Sequence, residues 1–298
     1  MPDASPKNPG RPSTATRFRR LARNSLPAEV RHTLAPAVRR VEDLVGRAAS
    51  ANGEERIIRE LLADRSVVPF CVDIAASDGR TGSNSLALYA RGWAGLSVEM
   101  DGRLFRSLAA RNAGFDSCRL FRGRVTPENV VSLFRAAQVP IDLGFLNLDI
   151  DSYDFFVLEQ ILSEYRPSLI CAEINEKVPP PIRFTVQYRD DHQWDGSHCY
   201  GQSISQLEIL VERHGYAIVA LEYNNAMLMP REVAPKSLSA EEAYREGYLR
   251  RPDRLERFPW NADVEDVLAL LPVPAAVRLE EVFAGHGSYS LTVGPGDH

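Results

Sequence analysis

Two pairs of hard oxygen donors stand out in the chain. Asp149 and Asp151 are two residues apart, and so are Glu173 and Asn175. Along a β-strand that spacing points both side chains to the same side. If the two segments are neighbouring strands, about 4.8 Å apart, the four groups converge at one end of a sheet. Carboxylate and amide oxygens in that pattern suit magnesium, which keeps some waters for substrate oxygens. A metal held there would lower the pKa of a bound hydroxyl. Two simpler roles stay open: Asp151 as the cap of the next helix, and Asp149 as a partner for an amine. Downstream, Asp190, Asp191, His192, Trp194, Asp195 and His198 crowd one stretch. His192 or His198 is placed to deprotonate a hydroxyl, because histidine titrates near neutral pH. Arg183, Tyr188 and Trp194 are candidates to shape an acceptor pocket.

A second group lies upstream, in Val72-Asp73-Ile74-Ala75-Ala76-Ser77-Asp78-Gly79. The run leaves a predicted strand and enters a predicted helix, the place where ligands bind in open parallel sheets. Small residues at Ala75, Ser77 and Gly79 allow a ligand close to the backbone, and Asp78 is available to a cationic group. The next strand ends Ser97-Val98-Glu99-Met100-Asp101, with Glu99 26 residues after Asp73. An acidic residue at that place suits the hydroxyls of a ribose. The glycine fingerprint of dinucleotide sites and the phosphate-cradling loop are both absent. A nucleoside cofactor without a pyrophosphate, S-adenosylmethionine, fits that combination.

These elements must be carried by a framework, and the pattern supplies one. Residues 28 to 64 read as helix in two pieces. Strands are predicted at Val68–Ala75, Gly95–Glu99, Ser117–Phe121, Leu143–Ile150 and Leu169–Ile174. Helices are predicted between them at Ser83–Arg91, Arg103–Asn112, from Thr126 to Ala137 with Pro127 at its first position, and Tyr153–Leu162. Residues 176 to 202 show no convincing element, which in a compact domain points to a functional loop, stiffened at its start by Pro179-Pro180-Pro181. A helix at Ser203–Arg213 follows. Tyr216–Leu221 and Ala226–Met229 then read as an antiparallel hairpin at the sheet edge. Residues 236 to 298 read as two helices and a strand near Tyr289–Val293. Strands alternating with helices predict an α/β fold: a Rossmann-like, mostly parallel sheet with helices on both faces. The segments are a leader (1–27), N-terminal helices (28–64), a core (65–232) and a C-terminal extension (233–298). The extension's apolar surface suits either an acceptor cover or a homo-oligomer contact.

Composition narrows the classes. The 298 residues are 44% hydrophobic and 25% charged, as in globular proteins. No run reaches the ~20 apolar residues of a membrane span. A formal charge of −5 argues against nucleic acid as a partner of the whole molecule. Residues 1 to 56 are the exception, with 11 Lys and Arg against 6 Asp and Glu, and Arg17, Arg19, Arg20 and Arg23 cluster there. Cys71, Cys118, Cys171 and Cys199 form no paired motif and read as reduced, mostly buried thiols. The polar start resembles no secretory signal, so the expected location is cytoplasmic.

The loop Val72–Gly79, the strand end Ser97–Asp101 and the order of elements resemble class I methyltransferases. Leu146-Asn147-Leu148-Asp149-Ile150-Asp151-Ser152-Tyr153-Asp154, with Glu173-Ile174-Asn175-Glu176 and Tyr200-Gly201-Gln202-Ser203, resembles the FkbM-type branch. The resemblance spans roughly residues 66 to 232 and departs from the family at Ala75, where glycine is commoner. It implies S-adenosylmethionine at Asp73, Ala75, Ser77, Asp78, Gly79, Glu99, Met100 and Asp149. It also implies methyl transfer to a hydroxyl of a small molecule or sugar. The acidic group at Asp149, Asp151, Glu173 and Asn175 is similar in layout to the magnesium site of catechol O-methyltransferase. Other readings left open are an N- or C-methyltransferase without metal, and a non-catalytic module that binds a partner through the Arg-rich leader. An NAD-linked oxidoreductase lacks its glycine fingerprint.

Overall fold

The computed structural model describes residues 50–63, 65–115 and 117–294. The leader, its arginine cluster and the first of the two N-terminal helix pieces lie outside the described residues. The second piece is α1 (Glu54–Leu62).

Four apolar runs become strands that are buried along most of their length: β1 (Val68–Ile74), β2 (Ala94–Glu99), β4 (Leu143–Leu148) and β5 (Leu169–Glu173). Near-continuous hydrophobic strands of this kind belong inside a parallel sheet covered on both faces. With β3 (Cys118–Arg122), β7 (Tyr216–Glu222) and β8 (Asn225–Pro230) they form one seven-stranded sheet, ordered β3-β2-β1-β4-β5-β8-β7. The first five pair in parallel, whereas β8 runs antiparallel to both β5 and β7. This is the expected fold class, edge hairpin included. The chain steps outward from β1 to β3, then returns to lay β4 on the other side of β1. That reversal opens a crevice at the carboxyl ends of β1 and β4.

Alternate residues of each strand feed opposite cores. Phe70, Val72 and Ile74 join Leu146, Leu148 and the helices α4 (Val130–Ala136), α5 (Asp154–Glu164), α6 (Ile204–Arg213) and α7 (Ala240–Tyr244) on one face. Cys71, Phe145 and Cys171 face Ile58 of α1 and Leu88 and Tyr89 of α2 (Leu86–Tyr89) on the other. All four cysteines are free. The helix α3 (Gly102–Asn112) begins at Asp101, whose carboxylate accepts from the amides of Arg103 and Leu104 at 2.8 Å.

Several element boundaries differ from the sequence reading, each for a local reason. The helix expected over Ser83–Arg91 shrinks to α2, because the Ser83 hydroxyl accepts from the amides of Ser85 and Leu86 and delays its start, while Gly92, at φ +84°, closes its end. Gly79 is required in the loop before α2 twice over: its φ is +73°, and a Cβ would sit 2.6 Å from Leu108 Cδ1. Thr126 does not cap α4. Its hydroxyl and the Asn129 side chain each accept the other's amide, which closes a turn and delays the helix to Val130. The strand expected to reach Ile150 stops at Leu148.

The long segment after β5 is not without structure. It contains β6 (Arg183–Val186), paired antiparallel with β9 (Tyr289–Thr292) at the far end of the described chain. Period-2 patterning is weak in so short a strand, and its partner lies about a hundred residues away. A small core of Phe184, Val186, Cys199, Leu279 and Phe283 packs beneath this pair, with the last two from α9 (Pro272–Phe283). The rest of the C-terminal stretch is more broken than two helices. A π turn (Arg245–Leu249), α8 (Arg254–Arg257) and two 3-10 turns precede α9. Among the described residues no helix is long and apolar enough to cross a membrane.

A buried ion pair ties these parts together behind the crevice. Glu176 accepts from Lys177 Nζ at 3.1 Å, from Tyr200 Oη at 2.5 Å and from Asn261 Nδ2 at 2.7 Å. Lys177 lies over the Tyr200 ring, and both charged residues are almost fully buried. Breaking such a pair by removing one partner strands a buried charge. Lys177→Met is expected to cost about 3–5 kcal/mol in urea denaturation, with part of that recovered in the Lys177→Met/Glu176→Gln double variant.

Candidate functional site

Two cavities meet at the crevice. One, about 480 Å³, is lined by residues that include Asp73, Ala75, Ser77, Asn84, Asn147 and Asp149. The other, about 450 Å³, is lined by residues that include Glu99, Met100, Arg124, Asp151, Tyr153 and His192. Ala75, Ser77 and Asp149 border both, so the cavities are two halves of one cleft.

The β1 side is held by buried carboxylates that serve the backbone and each other's neighbours. Asp73 accepts from the Ser85 hydroxyl and from Asn147 Nδ2, which fastens β1 to β4 and to the start of α2. Burial raises its pKa to about 6 against the pull of those two hydrogen bonds. Asp73 therefore sits under the cleft and braces it. Glu99 accepts from Ser77 N at 2.9 Å and from Asp101 N at 2.7 Å, which fixes the β1 loop against the end of β2. A carboxylate has about four acceptor sites, so two remain for a ligand in the second cavity. Met100 is 56% exposed on the same wall. Asp78 meets a cation of the chain itself: it pairs with Arg111 at 3.2 Å and accepts from the amides of Arg80 and Thr81.

On the β4 and β5 side, Asp149, Asp151 and Glu173 bring one oxygen each to within 4.8 Å of one another. Glu173 Oε1 accepts from Asn224 Nδ2 at 2.9 Å, while Oε2 is buried with no partner. Burial, then neighbouring negative charge, raises all three. Asp149 goes to about 8, helped by the charges of Asp151 and Asp154, and Asp151 to about 6, helped by Asp154. Glu173 is pushed well above the usual carboxylate range, with Asp149 as its main charged neighbour. Asn175 does not join them. Its amide donates to the carbonyls of His198 and Tyr200, and its oxygen accepts from Lys177 N, so it anchors the loop. Nor does Asp151 cap α5. It adopts φ +53°, and Asp154 instead accepts from Ile150 N and Ser152 N.

The structure separates the two histidines. His192 lines the second cavity with a buried, unpartnered Nε2. Burial first, and the Arg124 charge second, lower its pKa. His198 borders neither cavity, and its Nε2 lies 3.0 Å from Asp263 Oδ1. Trp194 joins His192 on the cavity wall, whereas Tyr188 packs edge-on against Tyr153 and Arg183 opens β6. Residues that the sequence did not single out complete the cleft. Arg124 donates to Tyr153 Oη and to the carbonyls of Asp190 and His192, and so pins the loop over the cavity. Its only sequence signal is its place just after β3. Arg257, Phe258 and Trp260 reach the first cavity from the C-terminal segment, which no motif flagged.

No protein-family model matches the chain, and no curated protein matches it. Similar solved structures include the N-terminal domain of EvdMO1 in the presence of S-adenosylhomocysteine and D-fucose. It is 11% identical over 61% of this chain and 82% of that one, with a TM-score of 0.38. An O-methyltransferase from Bacillus cereus in complex with S-adenosylhomocysteine is 11% identical over 72% and 96%, with a TM-score of 0.40. A SAM-dependent methyltransferase from Aquifex aeolicus is 10% identical over 59% and 88%, with a TM-score of 0.34. Likeness at this level is too slight to bear on this chain's chemistry.

A carboxylate whose folded pKa is raised contributes stability at low pH and loses it as pH climbs through that pKa. With Asp151 near 6 and Asp149 near 8, the melting temperature of the ligand-free protein is expected to fall between pH 5 and pH 8.5. Asp149→Asn is expected to flatten the fall and to melt higher than the unaltered chain at pH 8. A flat profile for the unaltered chain would contradict the charge arrangement described.

Proposed function

We propose that the chain is an S-adenosylmethionine-dependent methyltransferase acting on a hydroxyl of a small molecule or sugar. The observation that carries this reading is Glu99. It stands at the carboxyl end of β2 on the cleft wall, with acceptor capacity left for two ribose hydroxyls, beside a loop that has no phosphate-binding glycine pattern. When bound, the cofactor supplies a methyl group on a positively charged sulfonium. Glu99 would hold the ribose, Met100 and Leu104 would offer an apolar wall to the base, and the Ala75–Ser77 backbone would border the remainder.

His192 is the residue suited to take the acceptor's proton, at Nε2. Its lowered pKa keeps the imidazole neutral at pH 7, the form a general base needs. Arg124 keeps His192 over the cleft through the backbone of its loop, and Trp194 helps exclude water there. Asp149, Asp151 and Glu173 suit a divalent cation: three oxygen donors converge, and Glu173 Oε2 is buried without a partner. Such a cation would supply positive charge that lowers the pKa of an acceptor hydroxyl.

Calorimetric titration with S-adenosylhomocysteine tests the reading. The unaltered chain is expected to bind one equivalent. Glu99→Gln is expected to weaken binding about tenfold or more, the scale of a hydrogen bond to a charged group. No binding by the unaltered chain would overturn the proposal. Magnesium is expected to raise the melting temperature at pH 8 and to lose that effect in Asp149→Asn/Asp151→Asn. An equal rise in both proteins would remove the cation from the reading. Methyl transfer that persists in EDTA would leave deprotonation of the acceptor to His192 without a cation.

A further inference from the structure

The first cavity has an uneven distribution of charge. Asp73 and Asp149 lie on its sheet side, and Arg257 is the one cation among the described residues that line it. Arg257 comes from α8, in the C-terminal stretch, and crosses to the N-terminal side of the cleft. Its guanidinium lies over the Tyr223 ring, 4.8 Å from the centroid, and Nε donates to Asp253 at 2.9 Å. Nη1 reaches the Ala51 carbonyl and Asn52 Oδ1 at 3.4 Å. Nη2 makes no hydrogen bond among the described residues. An aromatic stack and a carboxylate thus hold the planar fork in place, with one edge still able to donate.

Between the charges the wall offers uncharged polar groups, Thr81, Ser83 and the Asn84 amide, beside the apolar side chains of Phe258 and Trp260. Asn84 donates to Asn147 Oδ1 at 3.0 Å, and its own oxygen is buried without a partner. A cavity with a carboxylate on one side, a fixed guanidinium on the other and hydroxyls and amides between them matches an α-amino acid zwitterion. The ammonium would face Asp149 and the carboxylate would face Arg257. A pyrophosphate would meet one cation and two carboxylates there, a poor match.

Resting on the methyltransferase reading, we infer that Arg257 is a cofactor-binding residue that receives the carboxylate of the methionyl moiety. The C-terminal segment thereby completes the cofactor site. The second cavity, with Glu99, takes the nucleoside.

Two ligands that share the nucleoside separate this from a structural role. S-adenosylhomocysteine carries the amino acid, and 5′-methylthioadenosine does not. Calorimetry on the full chain should show the unaltered protein binding S-adenosylhomocysteine more tightly than methylthioadenosine. Arg257→Met is expected to weaken S-adenosylhomocysteine about 10- to 100-fold, the range for hydrogen bonds between charged groups, and to leave methylthioadenosine unchanged. Arg257→Lys should restore part of the loss. An equal loss for both ligands in Arg257→Met would assign Arg257 to bracing the segment and overturn the inference. Unchanged S-adenosylhomocysteine affinity in Arg257→Met would also overturn it. Binding of neither ligand by the unaltered chain would remove the cofactor reading itself, and this inference with it.

Discussion

Three carboxylates at the carboxyl ends of β4 and β5 are held within 4.8 Å of one another, Glu173 buried and the two aspartates half-buried. Mutual repulsion and burial both oppose that arrangement, so the surrounding structure must impose it. It does so through the parallel register of β4 and β5, which sets Asn147 beside Cys171 and Leu148 beside Ala172. Asn224 holds one oxygen of Glu173, and Asp154 fixes the backbone on either side of Asp151. Behind them, the buried pair of Glu176 and Lys177 locks the start of the loop that follows β5. Much of the polar hardware at this end of the sheet serves to keep like charges together.

The same end of the sheet divides its carboxylates by task. Asp73 is buried against Ser85 and Asn147 and works as a brace. Glu99 fixes a loop and still has capacity to spare. Asp149 borders both halves of the cleft. These roles differ because the donors differ in kind, two side chains that join strands for Asp73 and two loop amides for Glu99, although the residue chemistry is nearly the same.

The sheet was legible in the sequence because buried parallel strands leave long apolar runs, as in Phe145–Leu146 and Leu169–Ala172. The grouping of Asp149, Asp151 and Glu173 was expected from period-two spacing, but both aspartates lie beyond the end of β4, and Asp151 joins the group from a turn with φ +53°. Asn175 misled because its strand stops at Glu173, and beyond the ladder alternation no longer predicts direction. The choice between His192 and His198 needed Arg124, a contact 68 residues away in the chain. Arg257 was hidden for the same reason. It reaches Asn52 across 205 residues, and no local pattern encodes such a meeting.

The pairing of β6 with β9 has a consequence for the order of events in folding. Its two strands are about a hundred residues apart, and contacts of that span carry a large closure entropy and form late. The strand at its base leads directly into the loop that carries His192 over the cleft. A folding chain would therefore build the parallel sheet and its cleft first, with the roof fastened last. Until that clasp forms, the loop bearing His192 lacks the ladder that anchors its near end, so the half of the cleft with His192 is completed after the half with Glu99.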